Sequence, residues 1–282
     1  MTPEQEARII IDKKLEEAGW TLQKMEELNP RASLGVAVRE FATDTGPVDY
    51  ALFIDGEAVG VVEAKPTDEG ENITVVENQS RRYAESEFKR IKKSPEIRFA
   101  YEATDLLIRF TDYKDEKYRS REVFSFHRPD FLEELLEQDD TVRNNLKRVP
   151  EFDETGFRDC QVTAITNLDQ SFAENKPRAL VQMATGAGKT FTAITQAYRL
   201  LKYGKMKRIL FLVDTKGLGE QAESEFLAYK PNDDPRSFSQ LYGVRRLSSS
   251  YIPNDVQVCI STVQRMYSIL KEEDLDDADE EE

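Results

Sequence analysis

The chain has 282 residues, 39% of them hydrophobic and 33% charged, with a formal net charge of −15. Its length suggests about two domains, and with no run of about 18 apolar residues no membrane-spanning helix is expected. Met1 to Glu6 lacks the basic and apolar regions of a signal peptide, and Cys160 and Cys259 stand apart without metal-ligand spacing, so a cytoplasmic protein with reduced thiols is expected.

The acidity is unevenly spread. Glu272 to Glu282 holds nine acids and no base, leaving −6 over the rest of the chain. Gln79 to Lys93, by contrast, carries Arg81, Arg82, Lys89, Arg90, Lys92 and Lys93 against Glu85 and Glu87. A basic face for nucleic acid and an ordinary solvated helix fit that stretch equally.

From the N-terminus, Thr2-Pro3 and the following residues to Ala18 predict a helix ended by Gly19, with Ile9, Ile10, Leu15 and Ala18 toward a core. Leu34 to Phe41 predicts a strand. Val48 to Ile54 and Ala58 to Ala64 flank Asp55-Gly56, which predicts a hairpin. Both hairpin strands are apolar on both faces, so a sheet covered on both sides is expected.

Three polar residues interrupt this hairpin. Glu63 and Lys65 are two apart and share a strand face, and burying their charges is costly unless they pair or bind something. A two-residue turn would set Asp49 opposite Val62, whereas a three-residue loop over 55–57, or an equivalent one-residue bulge, sets it opposite Glu63. The longer loop or the bulge is therefore expected. Two converging carboxylates form a hard-oxygen site for Mg²⁺, with Lys65 placed to orient water or stabilise developing charge. A structural salt bridge is the competing explanation of the E-x-K spacing. The D…E-x-K arrangement resembles the PD-(D/E)xK nuclease superfamily.

Ile73 to Ile91 predicts a helix on which Gln79 and Tyr83 are neighbours. A Q-x-x-x-Y after E-x-K resembles a motif of type I restriction subunits and RecB-like nucleases, where it helps to position the nuclease site or the DNA. By the same resemblance Glu6 would add a metal carboxylate, Glu4 being an equal candidate. Ile97 to Ala103, Asp105 to Thr111 and Glu122 to Phe126 predict short strands, His127 a loop, and Phe131 to Lys147 a polar connecting helix, with a domain boundary near Pro150.

Past Pro150, Arg158 to Ile165 opens a helix. The apolar run Ala179 to Gln182 predicts a strand, followed by Met183-Ala184-Thr185-Gly186-Ala187-Gly188-Lys189-Thr190 and a helix from Phe191. Strand, glycine loop and helix make a phosphate cradle: backbone N–H groups and the helix N-terminus face the anion, Lys189 reaches the β and γ phosphates, and Thr190 holds Mg²⁺. The first glycine of the strict P-loop pattern is Met183 here. A-T-G-A-G-K-T resembles motif I of superfamily 2 helicases and translocases, and R-x-x-Q at Arg158 and Gln161 resembles their Q motif, which selects ATP through adenine. Arg208 to Asp214, with Thr215, Leu218 and Gln221, resembles motif Ia and predicts a buried strand. Val256 to Ile260 predicts a third strand, and Thr262-Val263-Gln264 resembles the T-x-Q segment of that lobe. The motif II acids and a second lobe are not found in these residues.

Taken together, these motifs resemble the N-terminal part of the restriction subunit of type I restriction-modification enzymes. The implied architecture is α/β: a mixed-sheet, restriction-endonuclease-like domain over residues 1–148, then an incomplete RecA-like, parallel, doubly wound domain over 149–282. The resemblance implies a Mg²⁺-dependent nuclease on double-stranded DNA, ATP-fuelled translocation in a longer protein, and modification and specificity subunits as partners. Asp49, Glu63, Lys65, Gln79 and Tyr83 would form the nuclease site, and Gln161 with Thr185, Gly186, Ala187, Gly188, Lys189 and Thr190 the ATP site. A nuclease–helicase of type III restriction or DNA repair shares the motifs. A non-catalytic nucleotide-binding assembly module is the other class.

Overall fold

The computed structural model describes residues 3–43, 46–65, 97–176 and 178–271. The chain divides into two compact units, Met1–Thr141 and Val142–Glu282.

The first unit opens with helix α1 (Pro3–Glu17) and continues through strands β1 (Thr21–Lys24), β2 (Gly35–Ala42), β3 (Pro47–Ile54), β4 (Glu57–Ala64), β5 (Phe99–Ala103), β6 (Ile108–Asp112) and β7 (Arg121–Val123). The seven strands form one sheet in chain order. β1 with β2, and β4 with β5, pair in parallel, and the other neighbours pair antiparallel. Parallel neighbours need a crossover, and most of the one between β4 and β5, including the helix expected over 73–91, lies outside the described residues.

Alternation along the strands builds a core on each face of this sheet. Tyr50, Leu52, Val62 and Tyr101 pack with Ile11 and Leu15 of α1 and with Ala18 just past its end, while Val38, Ala51, Phe53, Val61 and Ala100 form the opposite cluster. α1 departs from expectation at two positions, since Ile9 and Ile10 are 56% and 39% exposed. The helical period puts Ala7, Ile11, Leu15 and Ala18 on the buried face and turns those two isoleucines away from it. The connecting helix expected over 131–147 is two helices, α2 (Pro129–Glu137) and α3 (Val142–Leu146). Gln138 is extended, and the Asp140 carboxylate accepts the Thr141 N–H at 2.8 Å, a local bond that competes with helix continuation.

In the second unit, α4 (Asp159–Ala173), α5 (Lys189–Lys202), β8 (Ile209–Val213), α6 (Lys216–Ala228), α7 (Phe238–Leu241), β9 (Val244–Arg246), β10 (Val258–Thr262) and α8 (Val263–Lys271) follow in order. The strands form a three-stranded parallel sheet ordered β8-β10-β9. Its core joins Ile194, Ala197 and Leu201 of α5 to Phe226 of α6 and to Val258 and Ile260 of β10.

Two strand expectations are corrected here. Residues 179–182 are not a strand, and Leu180 is 94% exposed. A strand exists only through its ladder partner, and among the described residues none runs beside this segment. β8 is covered on one face only: Ile209 and Phe211 pack on the core, whereas Leu210 and Leu212 are each 48% exposed. No described helix is long and apolar enough to cross a membrane.

Candidate functional site

The β3–β4 hairpin closes on a two-residue turn, pairing Ile54 with Glu57 and Phe53 with Ala58. The three-residue loop is thus absent, and the alternative device is present. The register shifts between Phe53 and Leu52, leaving Val59 without a partner, so that Leu52 pairs with Gly60 and Tyr50 with Val62. One residue beyond the last pair, continuing this register brings Asp49 level with Glu63. The Asp49 Oδ2 accepts the Ala64 N–H at 2.8 Å, and its Oδ1 accepts a short hydrogen bond from the Arg8 guanidinium.

A polar row therefore crosses the sheet. Register places Glu40 of β2 opposite Asp49, since Arg39 pairs with Tyr50 and Phe41 with Val48. Glu63 then neighbours Glu102 of β5, which neighbours Arg109 of β6. Glu63 is 4% exposed and Glu102 3%. Lys65 Nζ lies 3.9 Å from Glu63 Oε2, while Glu63 Oε1 is buried with no hydrogen-bond partner among the described residues. Burial, then the Asp49 charge, push the Glu63 carboxyl up to about 8, against the pull of Lys65 and Arg8.

These oxygens suit a small divalent cation. Among the described residues no group of three acidic, histidine or cysteine side chains could hold an ion by itself. Mg²⁺, however, is ordinarily bound by one or two carboxylates with waters and substrate oxygens completing its shell, and a buried carboxylate oxygen lacking a partner is what such an ion would satisfy.

The glycine loop lies in the second unit. Gly186 and Gly188 have φ of 78° and 85°, the left-handed region, and Gly188 leads directly into α5. Lys189 Nζ approaches Ala184 O at 3.4 Å, and Arg158 donates to Gly186 O at 2.7 Å. Gln161 is buried, and its Oε1 accepts the Arg158 N–H at 3.0 Å. Its amide nitrogen would lie 2.3 Å from a Cβ built on Gly188, so the glutamine packs directly on the loop.

Residues 154–282 match the family model of the Res subunit of type III restriction enzymes, and residues 19–138 match that of the second domain of the EcoKI type I endonuclease subunit. The EcoKI endonuclease subunit of Escherichia coli strain K12 is 28% identical over 93% of this chain and 27% of its own length. The SauCOLORF180P type I endonuclease subunit of Staphylococcus aureus strain COL is 27% identical over 77% of this chain and 24% of its own. Over most of its length the chain is thus similar to type I restriction endonuclease subunits. It spans about a quarter of the length of these two relatives. A solved fragment of a type I restriction enzyme subunit from Vibrio vulnificus YJ016 aligns over 96% of this chain and 49% of its own at 22% identity, with a TM-score of 0.33, too low to carry an argument.

The hairpin brings Asp49, Glu63 and Lys65 to one end of the β3–β4 pair, and the loop brings Gln161 beside Gly188. Gln79 and Tyr83, like the side chain of Glu6, lie outside the described residues. Arg8, Glu40 and Glu102 join the row without having been singled out from sequence. Glu102 carried the same signal as Glu63, one acid in an apolar strand. Arg8 carried none, because a basic residue in a polar helix is unremarkable until the helix is docked.

Proposed function

We propose that this chain supplies the nuclease and the first part of the ATP-driven motor of a type I restriction enzyme acting on double-stranded DNA. The observation that carries the nuclease reading is the bulge at Val59, which brings Asp49 level with a buried Glu63 whose Oε1 has no hydrogen-bond partner among the described residues. Asp49 and Glu63 hold Mg²⁺, which when bound supplies Lewis acidity toward the phosphodiester and an acidified water. Lys65 orients that water or stabilises the charge developing on the phosphate, and the apolar neighbours of Glu63 keep bulk solvent out. Gln79 and Tyr83 help to position this site or the DNA, and Glu6 is a further candidate metal carboxylate. The nuclease domain is assigned to residues 1–148.

Residues 149–282 are assigned to a RecA-like lobe. Gln161 selects adenine, the backbone from Thr185 to Gly188 cradles the phosphates, Lys189 reaches the β and γ phosphates, and Thr190 holds the nucleotide's Mg²⁺. Phosphate contacts would dominate DNA binding. Sequence recognition is left to the specificity subunit, which with the modification subunit completes a cytoplasmic complex. A type III Res subunit shares the family model of residues 154–282, but the relatives covering 93% and 77% of the chain are type I subunits.

The test uses the full-length subunit assembled with its modification and specificity partners. Asp49→Ala and Lys65→Ala are expected to abolish Mg²⁺-dependent cleavage while ATP hydrolysis continues, and Lys189→Ala to abolish ATP hydrolysis. Unchanged cleavage in both hairpin variants would remove the nuclease reading.

A further inference from the structure

Arg8 is a cation that the structure itself places on Asp49. Its guanidinium forks between two carboxylates: one nitrogen donates to Asp49 Oδ1, and the other to Glu40 Oε1 at 3.1 Å. The helix that carries it is fixed near this point. One turn on, Asp12 accepts two hydrogen bonds from Arg39, at 3.0 and 2.8 Å, and one from the Tyr50 hydroxyl at 2.8 Å. Arg8 and Asp12 are four apart and share a helix face, so the side of α1 turned to β2 and β3 is the side that delivers the guanidinium. Glu40 is itself held in an unusual backbone. Its φ is 51°, a region non-glycine residues seldom adopt, and strain of this kind persists only where surrounding structure imposes it.

The arrangement has two consequences. The Asp49 oxygen that Arg8 occupies is one that a divalent cation would need, so guanidinium and metal compete for it. Glu40, with a side chain 72% exposed, accepts from the other terminal nitrogen of Arg8 and can keep its half of the fork when Asp49 is taken. Arg8 displaced from Asp49 would stay tethered by Glu40 through one terminal nitrogen while the other, released from Asp49, donates to a phosphate oxygen, a division of labour that the guanidinium fork allows and an ammonium does not.

We propose that Arg8 is a phosphate-positioning residue of the nuclease site: it neutralises Asp49 while the site lacks its cation and moves to the DNA phosphodiester when the cation takes that oxygen. Glu40 is the tether for this exchange. The inference rests on the nuclease reading of Asp49, Glu63 and Lys65.

The experiment measures Mn²⁺ binding by calorimetry on the full-length subunit without nucleotide or DNA, and single-turnover cleavage at saturating Mg²⁺ in the assembled complex. Arg8→Met should bind Mn²⁺ about tenfold more tightly, the order expected for removing one charge-assisted competitor, and should cleave more slowly. Arg8→Lys, which keeps the charge and loses the fork, should recover only part of the rate and serves as the test if the Met variant folds poorly. Lys13→Met, removing an exposed charge from the same helix, should change neither quantity. Asp49→Ala defines the background by losing the Mn²⁺ site. Unchanged Mn²⁺ affinity in both Arg8 variants, or wild-type cleavage in both, would overturn the role of Arg8 while leaving the nuclease standing. Unchanged binding and cleavage in Asp49→Ala would instead remove the nuclease itself.

Discussion

Asp49 meets Glu63 because Val59 has no partner on β3. Without that unpaired residue between Ala58 and Gly60, the two-residue turn would have set Asp49 against Val62 and sent its carboxylate to the other side of β4 from Glu63. A bulge re-aims side chains without changing the turn, and here it brings Asp49 level with Glu63.

That burial predicts an unusual dependence of stability on pH. The Glu63 carboxyl is raised from 4.5 to about 8, so the folded protein holds a proton that the unfolded chain releases. Stability from this group is fully present below pH 4.5 and is lost as pH rises toward 8, at up to about 1.4 kcal/mol per pH unit. His127, lowered from 6.5 to about 4 by burial and by Arg121, acts in the opposite sense, favouring the fold as pH rises to 6.5. The two oppose each other up to about pH 6.5, and above it Glu63 acts alone. Denaturant melts of the first unit's transition in EDTA should show wild type losing stability relative to Glu63→Gln between pH 6.5 and 8. Mg²⁺ should reduce that loss by favouring the ionised form. Parallel curves for the two proteins would contradict the assignment.

The glycine loop makes a sharper contrast between two glycines. Both have left-handed φ, so alanine at either costs roughly 1–2 kcal/mol of backbone strain. At Gly186 a Cβ meets nothing within 4 Å, whereas at Gly188 it lies 2.3 Å from the Gln161 amide nitrogen. Gly188→Ala should displace Gln161 and weaken binding of a fluorescent ATP analogue by more than Gly186→Ala does. Equal affinities would mean that Gln161 does not support the loop.

Arg158 offers an independent test of the same loop, since its guanidinium donates to Gly186 O at 2.7 Å. Arg158→Ala should lower affinity for the same analogue by a factor of about ten, the order of one hydrogen bond to a charged group. The melting of the first unit should be unaffected. Wild-type affinity would reduce that bond to a surface contact.

Packing at Gly35 should be intolerant of any side chain. A Cβ there would lie 2.2 Å from Cγ of the Pro129 ring and 3.2 Å from the Trp20 ring. Neither ring has a flexible end that can retreat, so Gly35→Ala should destabilise by about 1–3 kcal/mol or more, read as a lower denaturant midpoint. An unchanged midpoint would show that α2 can move away from β2.

The sequence by itself determined the local chemistry. Asp55-Gly56 between two apolar runs specified the hairpin, E-x-K spacing put Glu63 and Lys65 on one face, and the glycines before Lys189 specified a turn into a helix, because each depends on residues adjacent in the chain. It also narrowed the pairing of Asp49 and Glu63 to a longer loop or a bulge. Choosing between them required the ladder, since a register is set by hydrogen bonds between strands and not by either strand's own residues. The tertiary structure likewise decided that 179–182 is no strand, that Glu102 completes the acidic row, and that Arg8 reaches Asp49. Ladder partners and counter-charges come from distant parts of the chain, and only docking brings them within hydrogen-bond range.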